Sequence, residues 1–201
     1  MTEDEAKAWM RSRCTTAQFD ALERFATLLR EEATMQNLVS PATLPLLWSR
    51  HIVDSAQLLE HAQGNDGAWA DVGTGAGFPG VVVAALQAAP MTLIEPRARR
   101  VAFLQHVVDE LSMSHVRIEP RKAEGASGTY RVISARAVAS VPALLEATTH
   151  LRDRSTVMIF PRGKGAQADL ESLPARWQRM FHVEQSITDA ASLILVARGA
   201  P

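Results

Sequence analysis

Apolar positions change their spacing once along this chain. Up to about residue 62 they recur every three or four residues, as on amphipathic helices; beyond it, short apolar runs alternate with helical stretches. Phe19, Leu22, Phe25, Ala26 and Leu29 predict a helix over about 16–34, opened by a capping-box pattern at Thr15-Thr16-Ala17-Gln18. Leu46, Leu47, His51, Ile52, Ser55, Leu58 and Leu59 predict a second helix. It starts near Ser40-Pro41 or Thr43-Leu44-Pro45 and runs to about His61. Arg50, His51 and Asp54 share one turn of it, and spacing alone favours a surface hydrogen bond between His51 and Asp54. The loop Gln63-Gly64-Asn65-Asp66-Gly67 is the best boundary. It divides the chain into a helical extension, 1–62, and an α/β domain, 63–201.

Within the second part, strands are predicted at 68–72, 91–95, 116–119, 130–135, 156–160, 180–187 and 192–198. Helices are predicted over about 79–87, 97–111 and 141–151, with a weaker one over 166–178 interrupted by Pro174. Strands that alternate with helices build a parallel sheet. Only Thr188-Asp189-Ala190-Ala191 separates the last two strands, too little for a helical crossover, so that pair is antiparallel. A mostly parallel seven-stranded sheet closing in an antiparallel hairpin is the plan of a Rossmann-like class I methyltransferase using S-adenosylmethionine. A dehydrogenase domain would continue with parallel strands.

The stretch Trp69-Ala70-Asp71-Val72-Gly73-Thr74-Gly75-Ala76-Gly77-Phe78-Pro79-Gly80 organises this second part. It passes from a short apolar strand through a glycine turn into the helix Val81-Val82-Val83-Ala84-Ala85-Leu86. Glycines at alternate positions let backbone approach a ligand closely, and the helix is expected to turn its first N–H groups toward it. Gly75 to Gly80 satisfies G-x-G-x-x-G, and Glu95 follows Gly75 at the spacing of an acid that binds ribose hydroxyls. That pattern suits NAD or S-adenosylmethionine. Asp71 tilts the reading, because its carboxylate would repel a pyrophosphate and suits a ligand carrying an amino group and a sulfonium. Asp71, Gly73, Thr74, Gly75, Gly77 and Glu95 are therefore candidate cofactor residues. In a sheet of this kind the strands' carboxyl ends line one crevice. Glu124, Arg136 and the loop Pro161-Arg162-Gly163-Lys164-Gly165 are expected on its rim.

Composition narrows the class further. With 201 residues and 47% hydrophobic content the chain can bury a core of its own. The single Cys14 excludes a disulfide framework and a cysteine metal cluster, and it fits a reducing cytosol. The acidic, apolar-poor start, Met1-Thr2-Glu3-Asp4-Glu5, is no signal peptide, and no apolar run has the length of a membrane span. No His/Cys group has metal-ligand spacing. A formal charge of −1 excludes a generally basic nucleic-acid binder. Among the 21 basic residues only Lys7, Lys122 and Lys164 are lysine. An arginine excess suits phosphate and equally reflects a GC-rich coding sequence.

Several separated pieces resemble one family, the glucose-inhibited division protein B family of bacterial 16S rRNA 7-methylguanosine methyltransferases. They are Asn37-Leu38, Arg50-His51-Ile52-Val53-Asp54-Ser55, Asp71 to Gly80, Arg100-Val101-Ala102-Phe103-Leu104, Ala123-Glu124 and Ser134-Ala135-Arg136-Ala137. The resemblance implies that Gly73 and Phe78 bound an S-adenosylmethionine pocket and that Ala123-Glu124 sits against the adenine. It implies that Arg136 lies at the pocket mouth near the cofactor or target guanine, and that Arg50, His51 and Asp54 wall it where extension and domain meet. It further implies 16S rRNA of the small ribosomal subunit as partner. Where the family often has Lys-Gly after the fifth strand, this chain has Arg162-Gly163, with Lys164 beyond.

The chemistry agrees. Guanine N7 is an acceptor with an exposed lone pair, so it needs positioning more than a general base. Cys14 is far from the rim, the Asn/Asp-Pro-Pro-aromatic motif of adenine-amino methylation is absent, and Tyr130 has Ser134 rather than lysine four residues on. Arg50, His51, Arg97, Arg162 and Lys164 are the candidate RNA contacts, with Arg99 and Arg100 nearby. Phe78 or Phe160 either stacks on a base or fills the core. A cytoplasmic monomer acting on rRNA is expected, with Arg136 as the catalytic candidate. Two other readings stand beside it: a nicotinamide-dependent oxidoreductase using the same turn, and a non-catalytic ribosome-binding module.

Overall fold

The computed structural model describes residues 1–163 and 165–199; the expectation placed on Lys164 lies outside the described residues. The chain opens with α1 (Glu3–Arg11), a helix that apolar spacing did not predict. Its signal is polar. Thr2 and Glu5 form a reciprocal capping box, and three acids occupy the first turn, where the helix dipole favours them. Only Ala6 and Met10 are buried on it, too few to show a stripe. α2 (Thr16–Glu32) follows, capped by Thr15 and Gln18, with its predicted apolar face buried.

The second predicted helix is broken. A 3-10 turn (Leu44–Leu46) leads into a π-helical turn (Trp48–Ile52), then α3 (Val53–Ala56) and α4 (Leu58–His61). The Val53 N–H bonds to the Trp48 carbonyl, five residues back. Glu3 of α1 holds this wide turn open. Its Oε2 accepts from the Trp48 N–H at 3.0 Å, and its Oε1 accepts from the Ser49 N–H at 2.8 Å and the Ser49 hydroxyl at 2.7 Å. Trp48, Ile52, Val53 and Ala56 keep helical spacing and are all buried, so the apolar pattern did not reveal the break.

The remainder is β1 (Trp69–Val72), α5 (Gly80–Leu86), β2 (Met91–Ile94), α6 (Ala98–Glu110), β3 (Val116–Glu119), a 3-10 turn (Ala123–Gly125) and β4 (Val132–Ala135). Then come α7 (Val141–Ala147), β5 (Val157–Arg162), α8 (Ala166–Glu171), α9 (Ala175–Gln178), β6 (Phe181–Gln185) and β7 (Leu193–Arg198). Pro174, lacking an N–H, divides the predicted weak helix into α8 and α9. The strands form one seven-stranded sheet in the order β3-β2-β1-β4-β5-β7-β6. β1 to β5 are mutually parallel, and β7 runs antiparallel to both β5 and β6. This is the Rossmann-like methyltransferase sheet that strand spacing predicted.

Side chains alternate across the sheet. Trp69, Leu93, Val132, Val157 and Ile159 face one core, together with α1, α2, α5 and α6. Ala70, Ile94, Ile133, Met158 and Phe160 face the other, with α7 and Trp177 of α9. Phe25 of α2 stacks at a tilt on Phe78, ring centres 5.3 Å apart, so the extension and the glycine turn share a core.

Strand register decides what meets at the carboxyl edge. Val72 lies opposite both Ile94 and Ala135, so Gly73, Glu95 and Arg136 each follow their strand at one level. Ser134 lies opposite Ile159, and Arg162 opposite Leu193, which brings the end of β5 and the start of β7 to the same rim.

Candidate functional site

That rim encloses a cavity of about 870 Å3. Of the residues singled out from the sequence, Gly73, Thr74, Gly75, Phe78 and Glu95 line it on one side; Arg50, His51, Arg97, Arg136 and Arg162 also line it. Asp71, Gly77, Ala123 and Glu124 do not.

The glycine turn is built from beneath. Gly73 and Gly75 have φ of +67° and +62°, a region costly for residues with a Cβ. Glu95, only 2% exposed, holds the turn: its Oε2 accepts from the Gly75 N–H at 3.0 Å and its Oε1 from the Arg97 N–H at 2.9 Å. Asp71 corrects the expectation of a direct ligand contact. It is fully buried, accepting from the Ser134 hydroxyl at 2.8 Å and from the Gly80 N–H at 3.0 Å. Its carboxylate thus ties the end of β1 to the first residue of α5, and that helix N–H is consumed inside the protein rather than offered to a ligand. Burial pushes its pKa up to about 6, with the Ser134 and Gly80 hydrogen bonds opposing. The Thr74 hydroxyl likewise turns inward, donating to the Asp71 carbonyl at 3.0 Å. Gly77 is also corrected. A Cβ there would lie 2.9 Å from the Phe25 ring and from Val81, so this glycine serves packing of the extension on the turn.

Two further expectations change. Ala123 is buried in the second core and Glu124 is exposed, while Lys122 before them takes the place on the wall. Phe160 is wholly buried, and Phe78, 3% exposed, is covered by His51 (ring centres 5.0 Å apart) and by the Arg136 guanidinium at 5.0 Å. Neither ring is free to stack on a base.

Opposite the turn stands Arg136. It leaves β4 into a corner where Ala137 has φ of +54°, a sparsely populated conformation for alanine. Three acceptors, two from the π turn and one from α3, hold the guanidinium. Nη2 donates to His51 Nδ1 at 3.0 Å; Nη1 donates to the Arg50 carbonyl at 3.4 Å and to Asp54 Oδ2 at 3.5 Å. Because arginine can only donate, His51 Nδ1 must be an acceptor, and Nε2 carries the proton that it gives Thr43 Oγ1 at 3.0 Å. Burial, with Arg136 and Arg50 adding repulsion, lowers the His51 pKa to about 3. A neutral imidazole with both nitrogens engaged is a support for Arg136, not the RNA contact expected from the sequence. The local His51–Asp54 bond that spacing favoured gives way to joint support of Arg136.

Four of the five arginines on the wall have acidic partners. Arg50 pairs with Asp189, Arg136 with Asp54 at 3.5 Å, Arg162 with Asp169 at 3.5 Å, and Arg100 lies 3.9 Å from Glu95. Arg97 is exposed on the wall, and Arg99 turns away to the Met35 carbonyl at 2.9 Å. Such pairing lets a cavity rich in guanidinium N–H donors accept a ligand that is itself a cation. Burial of the Arg162 guanidinium works against its charge, and Asp169 offsets part of that.

Some contributors had no motif to announce them. Gln57, Ser186 and Thr188 all donate to Asp54 Oδ1, at 3.0, 3.2 and 3.0 Å. Ser192 and Leu193 reach the wall from the start of β7. The Ser-x-Thr-Asp of the last hairpin turn was the one available signal, since such side chains carry short hydrogen-bonding groups into turns.

The family model for rRNA small subunit methyltransferase G matches residues 18–193. A ribosomal RNA small subunit methyltransferase G from Novosphingobium aromaticivorans is 45% identical, over 98% of this chain and 89% of that protein. Its counterpart from Sphingopyxis alaskensis is 44% identical, over 98% and 86%. Among solved structures, a ribosomal protein L11 methylase from Lactobacillus delbrueckii subsp. bulgaricus aligns with a TM-score of 0.59 at 16% identity, over 73% of this chain and 77% of that one. A mutant of MtNAS in complex with S-adenosylmethionine aligns with a TM-score of 0.58 at 16% identity, over 92% and 76%. These last two likenesses concern the fold.

Proposed function

The chain belongs to the rRNA small subunit methyltransferase G family, and from that premise we propose how its cavity works. The protein is an S-adenosylmethionine-dependent methyltransferase that modifies N7 of a guanine in 16S rRNA. The observation that carries the site reading is the meeting of the glycine turn, Glu95 and Arg136 at the carboxyl edge of one sheet. Family membership displaces the oxidoreductase and the non-catalytic module.

The wall fits the cofactor. Gly75 presents backbone with no side chain closer than ordinary contact, Val138 covers Gly73, Glu95 keeps lone pairs for ribose hydroxyls, and about 870 Å3 lies within the range of ligand pockets. In this reading Gly73, Thr74, Gly75 and Glu95 hold S-adenosylmethionine, and Lys122 is the residue of the β3 loop that reaches the same wall. Bound there, it supplies a methyl group on a sulfonium, which an unprotonated ring nitrogen accepts without prior loss of a proton. Asp71 and Gly77 shape the turn from below. Arg136 faces the target, its remaining N–H groups suited to the acceptor edge of guanine that carries O6 and N7. His51 takes no proton, since both its nitrogens are engaged. Catalysis therefore rests on orientation.

Arg50, Arg97 and Arg162 are read as contacts to rRNA phosphates around the mouth. Residues 1–62 form the extension that supports Arg136, and 63–201 the cofactor-binding domain. The partner is 16S rRNA in the small ribosomal subunit, approached as a monomer in the cytoplasm. The single Cys14 supports that compartment, and no helix among the described residues is long and apolar enough to cross a membrane.

The test supplies labelled methyl donor with small subunits, and separately with naked 16S rRNA, from cells lacking the enzyme. Label should appear in 16S rRNA as 7-methylguanosine after nuclease digestion. Absence of label from both substrates, with S-adenosylhomocysteine binding intact, would sink the activity.

A further inference from the structure

The turn between β6 and β7 reads in sequence as a bare connection, yet its Ser186 and Thr188 side chains are buried and meet Gln57, which lies between α3 and α4. Ser186 is 4% exposed, Thr188 9% and Gln57 2%. Gln57 Nε2 donates to Ser186 Oγ at 3.0 Å, the Ser186 and Thr188 hydroxyls lie 2.9 Å apart, and Gln57 Oε1 accepts from the Ile187 N–H at 3.0 Å. This cluster converges on one atom. Asp54 Oδ1 receives Gln57, Ser186 and Thr188, leaving Oδ2 toward Arg136. One residue further, Asp189 grips Arg50, whose carbonyl also accepts from Arg136.

A carboxylate saturated on one oxygen cannot rotate without breaking several buried hydrogen bonds, each costly to leave unmade. The orientation of Oδ2 is thereby set by a turn in the last hairpin. We propose that this turn, through Ser186 and Thr188, is a positioning element of methyl transfer: it fixes Asp54, and Asp54 fixes the guanidinium of Arg136 at the cavity. Ser186 and Thr188 touch neither cofactor nor rRNA in this scheme; they act through Asp54. The proposal rests on the reading of Arg136 as the residue facing the target.

The experiment measures kcat and KM on small ribosomal subunits, with S-adenosylhomocysteine affinity by calorimetry. It compares wild type, Arg136→Lys, the double variant Ser186→Ala with Thr188→Val, the conservative Thr188→Ser, and the triple combination. The double variant should lose about tenfold or more in kcat, as expected of a small misplacement of a catalytic group. Its S-adenosylhomocysteine Kd should stay within about twofold of wild type. Thr188→Ser, which keeps the hydroxyl, should retain most of the rate. Added to Arg136→Lys, the turn substitutions should cost little more, because residues acting as one unit are not additive. A double variant with wild-type kcat, or losses that multiply with Arg136→Lys, would overturn the role of the turn while leaving Arg136 in place. Normal turnover by Arg136→Lys would overturn the reading of Arg136 and the proposal with it. Where melting shows the double variant to be unfolded, Ser186→Ala alone decides, with about a threefold loss in kcat expected and a wild-type value counting against.

Discussion

The glycine turn and Arg136 stand on one rim, but they are held there differently. Around the turn, nearly every stabilising bond comes from close by in the chain: Gly80 and Thr74 to Asp71, Gly75 to Glu95, and the Gly73 N–H to the Ile94 carbonyl at 2.8 Å. Ser134 is the exception. Arg136 takes its acceptors from residues 82, 86 and 85 positions away, and Asp54 in turn takes donors from 132 and 134 positions away. The turn is a local object that also carries the fold. The arginine is an assembled object, set between an N-terminal extension and a C-terminal hairpin. Damage to the first should therefore lower stability and cofactor affinity together. Damage to the second should slow turnover and spare the cofactor.

The most severe test is at Gly80. A Cβ there would lie 2.4 Å from Leu93 and 2.8 Å from the Asp71 carboxylate. Gly80→Ala should cost about 1–3 kcal/mol of stability by overpacking. Tm by calorimetry and S-adenosylhomocysteine affinity should fall in step. Next is Asp54→Asn, which removes the charge opposite Arg136. A loss in kcat of about tenfold or more is expected, with cofactor affinity nearly unchanged. If calorimetry instead shows affinity falling as far as in Gly80→Ala, the division between the two regions is wrong.

Glu3→Gln probes how far the assembled region extends. It keeps the shape but replaces one of the two oxygens that accept three donors at the π turn by an amide NH2, which cannot accept. Urea unfolding should show a loss of about 1 kcal/mol. A smaller fall in kcat should follow as Arg50 and His51 loosen; unchanged kcat would confine the assembled region to the contacts of Asp54.

The smallest effect separates the regions by pH. Folded His51 has its pKa lowered to about 3 from 6.5, so its contribution is present above pH 6.5 and is lost as pH falls toward 3. Folded Asp71 is raised to about 6 from 3.8, so its contribution is present below pH 3.8 and is lost as pH rises through 6. Between these limits the two oppose each other, each with a slope of at most about 1.4 kcal/mol per pH unit. Compared with wild type from pH 7.5 to 5, His51→Gln should lose less stability on acidification and Asp71→Asn should lose more. Parallel curves for all three proteins in urea unfolding would deny both groups their shifted titration.

Much of this was legible beforehand, and the division follows the same line. Strand spacing and the four-residue link before β7 predicted the sheet, and the distance from Gly75 singled out Glu95, though as a ribose acid and not as the acceptor of the Gly75 N–H. Asp71 and Gly77 were seen as special but assigned to a ligand, because a motif records that a residue is constrained and not which side constrains it. Phe25 arriving from α2 decides Gly77; Ser134 and Gly80 decide Asp71. The π turn was hidden, since Trp48, Ile52 and Val53 bury as an ordinary helix would, and the group that opens it is Glu3 of α1.

The sequence by itself determined whatever depends on near neighbours: the alternation of strands and helices, the antiparallel close, and the backbone of Gly73 and Gly75. Only the tertiary structure decided the direction of Asp71, the neutral tautomer of His51 and the Asp54 latch on Arg136. The physical reason is reach. A φ angle or a strand run is set by sterics and burial within a few residues, whereas a hydrogen-bond partner more than eighty residues away is chosen by strand register and by which faces pack.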